Sequence, residues 1–108
     1  MEVRYSDDFR KSAKKLAKRY KNLKNDLKIF TNSLIDNPRQ GTELFMNVYK
    51  VRIKNSDNDK GKSAGYRMIT YLITEDKILL VNMYSKSDIS NVSDEDINMI
   101  IKQYKEEN

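Results

Sequence analysis

The stretch KGKSAGYRMITYLITEDKILLVNMYSK, Lys60 to Lys86, decides the fold. It opens on a basic glycine loop formed by Lys60, Gly61, Lys62 and Gly65. Two apolar runs follow, Tyr66–Thr74 and Lys77–Ser85, split by the polar pair Glu75–Asp76. They read as two strands of a hairpin. Side chains alternate faces along a strand. Arg67, Ile69, Tyr71 and Ile73 therefore share a face of the first run. In the second run Leu79, Val81 and Met83 are expected on one face, and Asn82, Tyr84 and Lys86 on the other with Ile78 and Leu80. A tight hairpin sets Arg67 on the same sheet surface as Tyr84 and Lys86. Arginine, tyrosine and lysine converging beside a basic loop point to a surface for phosphate and for phosphodiester chemistry.

Working outward toward the start, Phe9, Ala13, Leu16, Ala17 and Tyr20 fall at helical spacing, behind a cap at Ser6 or Asp7. A second stripe, Leu23, Leu27, Phe30 and Leu34, predicts a second helix. Asn37-Pro38 ends it, because a residue before proline is biased out of the helical region. The two form a helical hairpin. From Arg10 to Lys28 the chain carries nine basic residues and one acidic residue, Asp26. So dense a like-charge run repels itself without a counter-charge. It is either a solvated face, or one that tracks phosphates through residues such as Lys14 and Lys18, or one that docks an acidic protein segment.

Glu2–Tyr5 is a short strand candidate. Leu44–Lys54 predicts another, with Tyr49, Val51 and Ile53 on one face and Lys50, Arg52 and Lys54 on a wet, basic one. After the hairpin, Ser93 with Asp96 predicts the cap of a last helix, whose stripe is Ile97, Ile100, Ile101 and Tyr104. The order is β-α-α-β-β-β-α, an α+β fold. Two helices are expected on one face of a mostly antiparallel four-stranded sheet, with the C-terminal helix closing an edge or end. The opposite face would then carry Lys50, Arg52, Lys54, Arg67, Tyr71, Tyr84 and Lys86.

With 108 residues the chain reads as one domain, 1–108. The net charge of +5 favours a polyanionic partner. No apolar run approaches the ~18 residues of a membrane span, and the charged start does not resemble a signal peptide. With no cysteine there are no disulfides, and a reducing cytoplasm fits. With no histidine either, a zinc site is not expected.

The element order, the GKSAGYRMITYL stretch and the later VNMYSKSD stretch resemble the RelE/ParE superfamily of bacterial toxins, most closely its HigB-like branch. The resemblance spans nearly the whole chain, including the NVSDEDINMIIKQY tail. It implies the toxin of a type II toxin–antitoxin system: a ribosome-dependent endoribonuclease that cleaves messenger RNA and is neutralised by an antitoxin encoded beside it. The implied partners are the antitoxin, the ribosome and mRNA, with no cofactor and no small-molecule ligand. Arg67 matches the family's strand arginine, placed on the scissile phosphate. Lys62, Tyr84 and Lys86 match the other basic and aromatic residues of the HigB-like pattern. The chain departs from the best-known RelE pattern at Ser87, where that pattern has a second arginine, and at Ser93, where it has a tyrosine.

The chemistry itself is simple. The RNA 2′-hydroxyl attacks the adjacent phosphate and leaves a 2′,3′-cyclic phosphate. The protein must orient that attack, stabilise charge on the phosphate and move protons. Arg67 suits the electrostatic role, since arginine stays charged and grips phosphate bidentately. Lys62 or Lys86, crowded by other cations, could act as base or acid. Tyr84 could orient the 2′-hydroxyl or stack on a base. Lys50, Arg52, Lys54 and Lys60 extend the RNA-binding surface. Two other readings stay open: a ParE-like inhibitor that binds DNA gyrase, and a basic nucleic-acid-binding module without catalysis.

Overall fold

The computed structural model describes residues 1–57, 65–88 and 91–108. Lys60 and Lys62 fall outside the described residues. In chain order the elements are β1 (Glu2–Tyr5), α1 (Asp7–Ala17), α2 (Leu23–Asp36), β2 (Thr42–Phe45), β3 (Val48–Ile53), β4 (Tyr66–Thr74), β5 (Lys77–Ser85) and α3 (Asp94–Glu107). The strands form one sheet in the order β1-β5-β4-β3-β2. Among the described residues only the β1–β5 pairing is parallel.

The sheet has five strands because Leu44–Lys54 is not one strand. Asn47 adopts a left-handed backbone conformation at φ 64. Asparagine is among the residues that tolerate it. The chain reverses there, so β2 and β3 lie antiparallel. Gly41, at φ 95, opens β2, and a Cβ there would run into the carbonyl oxygen of Lys50. Glycine is required at that turn on both counts.

Ser6 joins the first strand to the first helix. Its Oγ accepts the Phe9 N–H at 2.9 Å, which caps α1, and donates to the Val81 carbonyl at 2.6 Å. Its own N–H reaches the Leu80 carbonyl at 3.2 Å. One buried serine thus closes β1, starts α1 and fixes both against β5. At the other end Ser93 caps α3 by accepting the Asp96 N–H at 3.1 Å. Asp94, Glu95 and Asp96 place negative charge at the positive end of that helix's dipole.

The helical hairpin buries Phe9, Leu16, Leu23, Phe30 and Leu34 against Val51, Ile53, Met68, Leu72, Ile78, Leu80 and Met83. A second core lies across the sheet. There Ile97, Ile100 and Ile101 of α3 pack on Val48, Ile69, Leu79 and Val81. The C-terminal helix therefore covers part of the second face rather than closing an edge or end. The physical reason is that β4 and β5 carry apolar side chains on both faces, and a strand apolar on both sides needs a layer on each.

A β-bulge corrects the expected alternation in β5. Ile69 pairs with Asn82 but Thr70 pairs with Leu80, so Val81 is an extra residue. An extra residue shifts the phase of all that follows. Leu79 and Val81 face α3, whereas Met83 turns to the hairpin side with Ile78 and Leu80. Asn82 reaches toward α1, where its Oδ1 accepts from Ser12 Oγ at 2.9 Å. Tyr84 is left on the face opposite Ile78 and Leu80.

Candidate functional site

Strand register builds the site. Arg52 of β3 lies directly opposite Arg67 of β4, and Arg67 lies directly opposite Tyr84 of β5. Opposed residues in antiparallel strands have Cβ atoms ~4.5–5.5 Å apart and point to the same side. The three side chains form one row across the middle of the sheet, on the α3 side and beyond the apolar patch that α3 covers. The next row holds Lys50, Ile69 and Asn82. Lys50 Nζ donates to Asn91 Oδ1 at 3.2 Å, just before α3. Lys86 continues the β4–β5 ladder past Ser85, its N–H on the Gly65 carbonyl at 3.1 Å. Cross-strand pairing brings Arg67 and Tyr84 together, with the Lys86 backbone close by, although the bulge has separated Tyr84 from the face of Ile78 and Leu80.

Their exposure differs from the expectation of an open face. Arg67 is 5% exposed and Tyr84 4%, while Arg52, Lys54 and Lys86 are exposed. Both buried residues sit in central strands of the sheet, under neighbours on either side. One Arg67 nitrogen donates to the Tyr66 carbonyl at 3.3 Å. Burial, then the facing Arg52 cation, lowers the Arg67 pKa from its ordinary value, and Tyr84 opposes the shift. Burial pushes the Tyr84 phenol up, and Arg67 only partly offsets this. Tyr84 is therefore a neutral phenol at physiological pH, able to donate a hydrogen bond and poorly suited as a base. Its hydroxyl is buried without a hydrogen-bond partner among the described residues. A buried hydroxyl is normally paired, so this one is set apart.

Tyr71, expected on the same face, is a packing residue. It joins the α3 core, with Lys105 Nζ 5.1 Å from its ring centre. Lys14 and Lys18 are exposed on α1 and just after it, in the hairpin layer on the other side of the sheet. The structure does not bring them to the row.

Two contacts had no sequence signal, and a third, at Asp26, had a faint one. Arg19 pairs with Asp88 at 2.5 Å, across a separation of 69 residues. That ion pair raises the Arg19 pKa and joins the end of the α1 region to the turn carrying Lys86. It is exposed, so its role is orientation more than stability. Asp57 accepts from the Asn22 N–H and side-chain amide at 3.0 and 3.1 Å. Asp26 accepts the Ser56 N–H at 3.1 Å. Together they strap the segment after β3 to the bend between α1 and α2. A clue to Asp26 did exist: it is the lone acid of the basic run, and it is buried.

Among the described residues no helix is long and apolar enough to cross a membrane. The family model described as the RelE toxin of the RelE / RelB toxin-antitoxin system matches residues 1–107. No curated protein matches the chain significantly.

Proposed function

The chain belongs to the RelE toxin family, and from that premise we propose that it is a ribosome-dependent messenger-RNA endonuclease of the HigB-like kind, acting in the cytoplasm and held in check by its antitoxin. The observation that carries the reading is the cross-strand row of Arg52, Arg67 and Tyr84.

The reaction needs positive charge on the phosphate and a hydrogen bond where protons move. Exposed Arg52, Lys54 and Lys86 gather the RNA backbone. Arg67 supplies a second guanidinium directly beside Arg52, at the depth where a desolvated charge acts most strongly. As the 2′-oxygen bonds to phosphorus, the bond to the 5′-oxygen breaks, giving a cyclic phosphate and a free 5′-hydroxyl. Charge builds on the non-bridging oxygens, and the two arginines answer it. Tyr84, neutral and with no partner for its hydroxyl among the described residues, donates a hydrogen bond to one of the reacting oxygens. The proton leaving the 2′-hydroxyl passes to solvent through Lys86, and solvent returns a proton to the departing 5′-oxygen. Lys62 belongs to the same proposal by its match to the family pattern.

Single-turnover cleavage of messenger RNA on programmed ribosomes tests this. Arg67→Ala should lower the rate by roughly 10²–10³, and Arg67→Lys should recover only part of it, because a point charge cannot grip two oxygens. Melting curves on the same preparations separate lost chemistry from lost folding. A folded Arg67→Ala protein cleaving at the wild-type rate would overturn the site.

The burial of Arg67 and Tyr84 favours a second reading, binding without cleavage. Under it the wild-type protein binds ribosomes or RNA through its exposed cations and cuts nothing. A ParE-like protein would instead inhibit gyrase supercoiling, so the two assays run together separate all three.

A further inference from the structure

Lys86 stands just past the end of β5, tied to the sheet by its N–H on the Gly65 carbonyl at 3.1 Å. It belongs to a tight turn. The Asp88 N–H donates to the Ser85 carbonyl at 3.0 Å, and the Ser85 and Ser87 hydroxyls share a hydrogen bond of 2.8 Å. Inside such a turn Lys86 and Asp88 keep a fixed relation. A turn attached at one point can still swing about that point. The second attachment comes from Arg19, just beyond α1, whose Nη1 donates to Asp88 Oδ2 at 2.5 Å. Arg19 is itself held in place. Its guanidinium carbon lies 5.0 Å from the Tyr20 ring centre, and its Nη2 donates to the Tyr20 hydroxyl at 3.0 Å. The Tyr20 ring stands edge-on to Tyr66, with centres 5.6 Å apart. Tyr66 is buried, faces Ser85 in the β4–β5 register and precedes Arg67. Both prongs of the arginine fork are therefore engaged, so this pair costs less side-chain freedom than a surface ion pair normally does.

We propose that Arg19 is a positioning residue for the reaction: through Asp88 it fixes the turn that carries Lys86, and so directs the Lys86 ammonium toward the row of Arg52, Arg67 and Tyr84. The proposal rests on the nuclease reading, in which the leaving proton passes through Lys86. It gives one member of the basic run a role that charge alone does not, because its guanidinium grips a carboxylate of its own chain. An exposed ion pair adds little to stability, whereas a misplacement of about 1 Å at a reacting group can cost about a hundredfold in rate. The pair should therefore matter far more to the rate than to melting. A second ion pair supplies the comparison. Arg39 grips Glu75 through both terminal nitrogens, at 2.9 and 3.3 Å, and is likewise exposed. It sits at the turn between β4 and β5, at the far end of that hairpin from Lys86.

The test combines amide hydrogen exchange on the full chain alone with single-turnover cleavage over a range of programmed-ribosome concentrations. Arg19→Ala and Asp88→Ala should each lower the exchange protection of the Lys86 N–H about tenfold and leave that of Ile69 unchanged. Melting should move by no more than about 4 °C. The saturating cleavage rate should fall about ten- to a hundredfold, with the half-saturating concentration within about twofold of wild type. Arg19→Asp/Asp88→Arg rebuilds the pair in reverse and should recover part of both losses. Arg39→Ala should show neither loss. Lys86 protection within about twofold of wild type in both single variants would overturn the proposal, as would an equal rate loss in Arg39→Ala. So would a raised half-saturating concentration at an unchanged saturating rate, or a reversed pair that recovers nothing, since both mark Arg19 as a direct RNA contact. A wild-type chain that cleaves nothing overturns the nuclease reading by itself, while the exchange measurement still decides whether Arg19 holds the turn.

Discussion

Tyr84→Phe removes a single oxygen atom, and under the proposed mechanism that oxygen has opposite effects on stability and on activity. The hydroxyl is buried and has no hydrogen-bond partner among the described residues. Leaving a buried polar group unmade costs ~1–3 kcal/mol. Phenylalanine fills the same space without that cost, so the variant should be more stable, by up to about 1 kcal/mol once the ordinary benefit of a well-fitted side chain is kept. For a domain of this size that is a rise of about 4 °C in melting temperature. If the hydroxyl donates to the reacting oxygens, its loss should cost ~2.7–4 kcal/mol of transition-state stabilisation, a drop of roughly 10²–10³ in single-turnover rate. A structural residue moves both quantities the same way, and a packing residue moves only the first. Thermal melting and cleavage on programmed ribosomes, measured on one preparation, decide between them. A protein that melts higher and still cleaves at the wild-type rate would refute the catalytic role of Tyr84.

Tyr66 carries the same kind of buried hydroxyl, without a partner among the described residues. Burial, reinforced by Asp26 and Asp57, raises its pKa above the ordinary 10.0. The folded state thus holds this proton after the unfolded chain has released it, so stability is intact below about pH 10 and falls as pH rises beyond it. Tyr66→Phe should leave neutral-pH stability unchanged or higher and should shrink that alkaline loss, as denaturant titrations from pH 8 to 11 can show; an identical alkaline slope would count against the assignment. Ser6→Ala removes the α1 cap and strands the Val81 carbonyl, and should cost about 2 kcal/mol, read as a lower denaturant midpoint with an unchanged slope.

Much of the fold is written plainly in the chain. The stripe Phe9–Leu16–Leu23–Phe30–Leu34 defines the hairpin face, and each of these residues is buried. Ser6 and Ser93 cap the helices they precede, and Glu75–Asp76 makes the turn between β4 and β5. The faces of β5 were not legible, because a bulge at Val81 needs no special residue type and yet inverts every side chain after it. The place of α3 had a clue that alternation hides. Ile78 to Val81 is apolar without interruption, which is the pattern of a strand covered on both faces. Arg67 and Tyr84 are expected in the open because alternation gives the face a residue takes, not how closely its neighbours on the central strands cover it. Their convergence follows from local pairing in a hairpin, whereas their burial depends on layers and neighbours far away in sequence. The Arg19–Asp88 pair belongs to the same class, since nothing in either residue's surroundings names the other.

Ser6 has a consequence for the order in which the molecule can be made. Its hydroxyl needs the carbonyl of Val81, 75 residues later, and β1 has its sheet partner only in Lys77–Leu80. Contacts so distant along the chain must wait for a long loop to close. During synthesis α1 emerges with its cap free to form but its anchor not yet made, and β1 remains a loose strand until β5 leaves the ribosome. A product that stops before β5 lacks the sheet partner of β1, the carbonyl acceptor for Ser6 and the phenol of Tyr84 together. Premature termination therefore yields an open chain for proteases and not a weakened toxin.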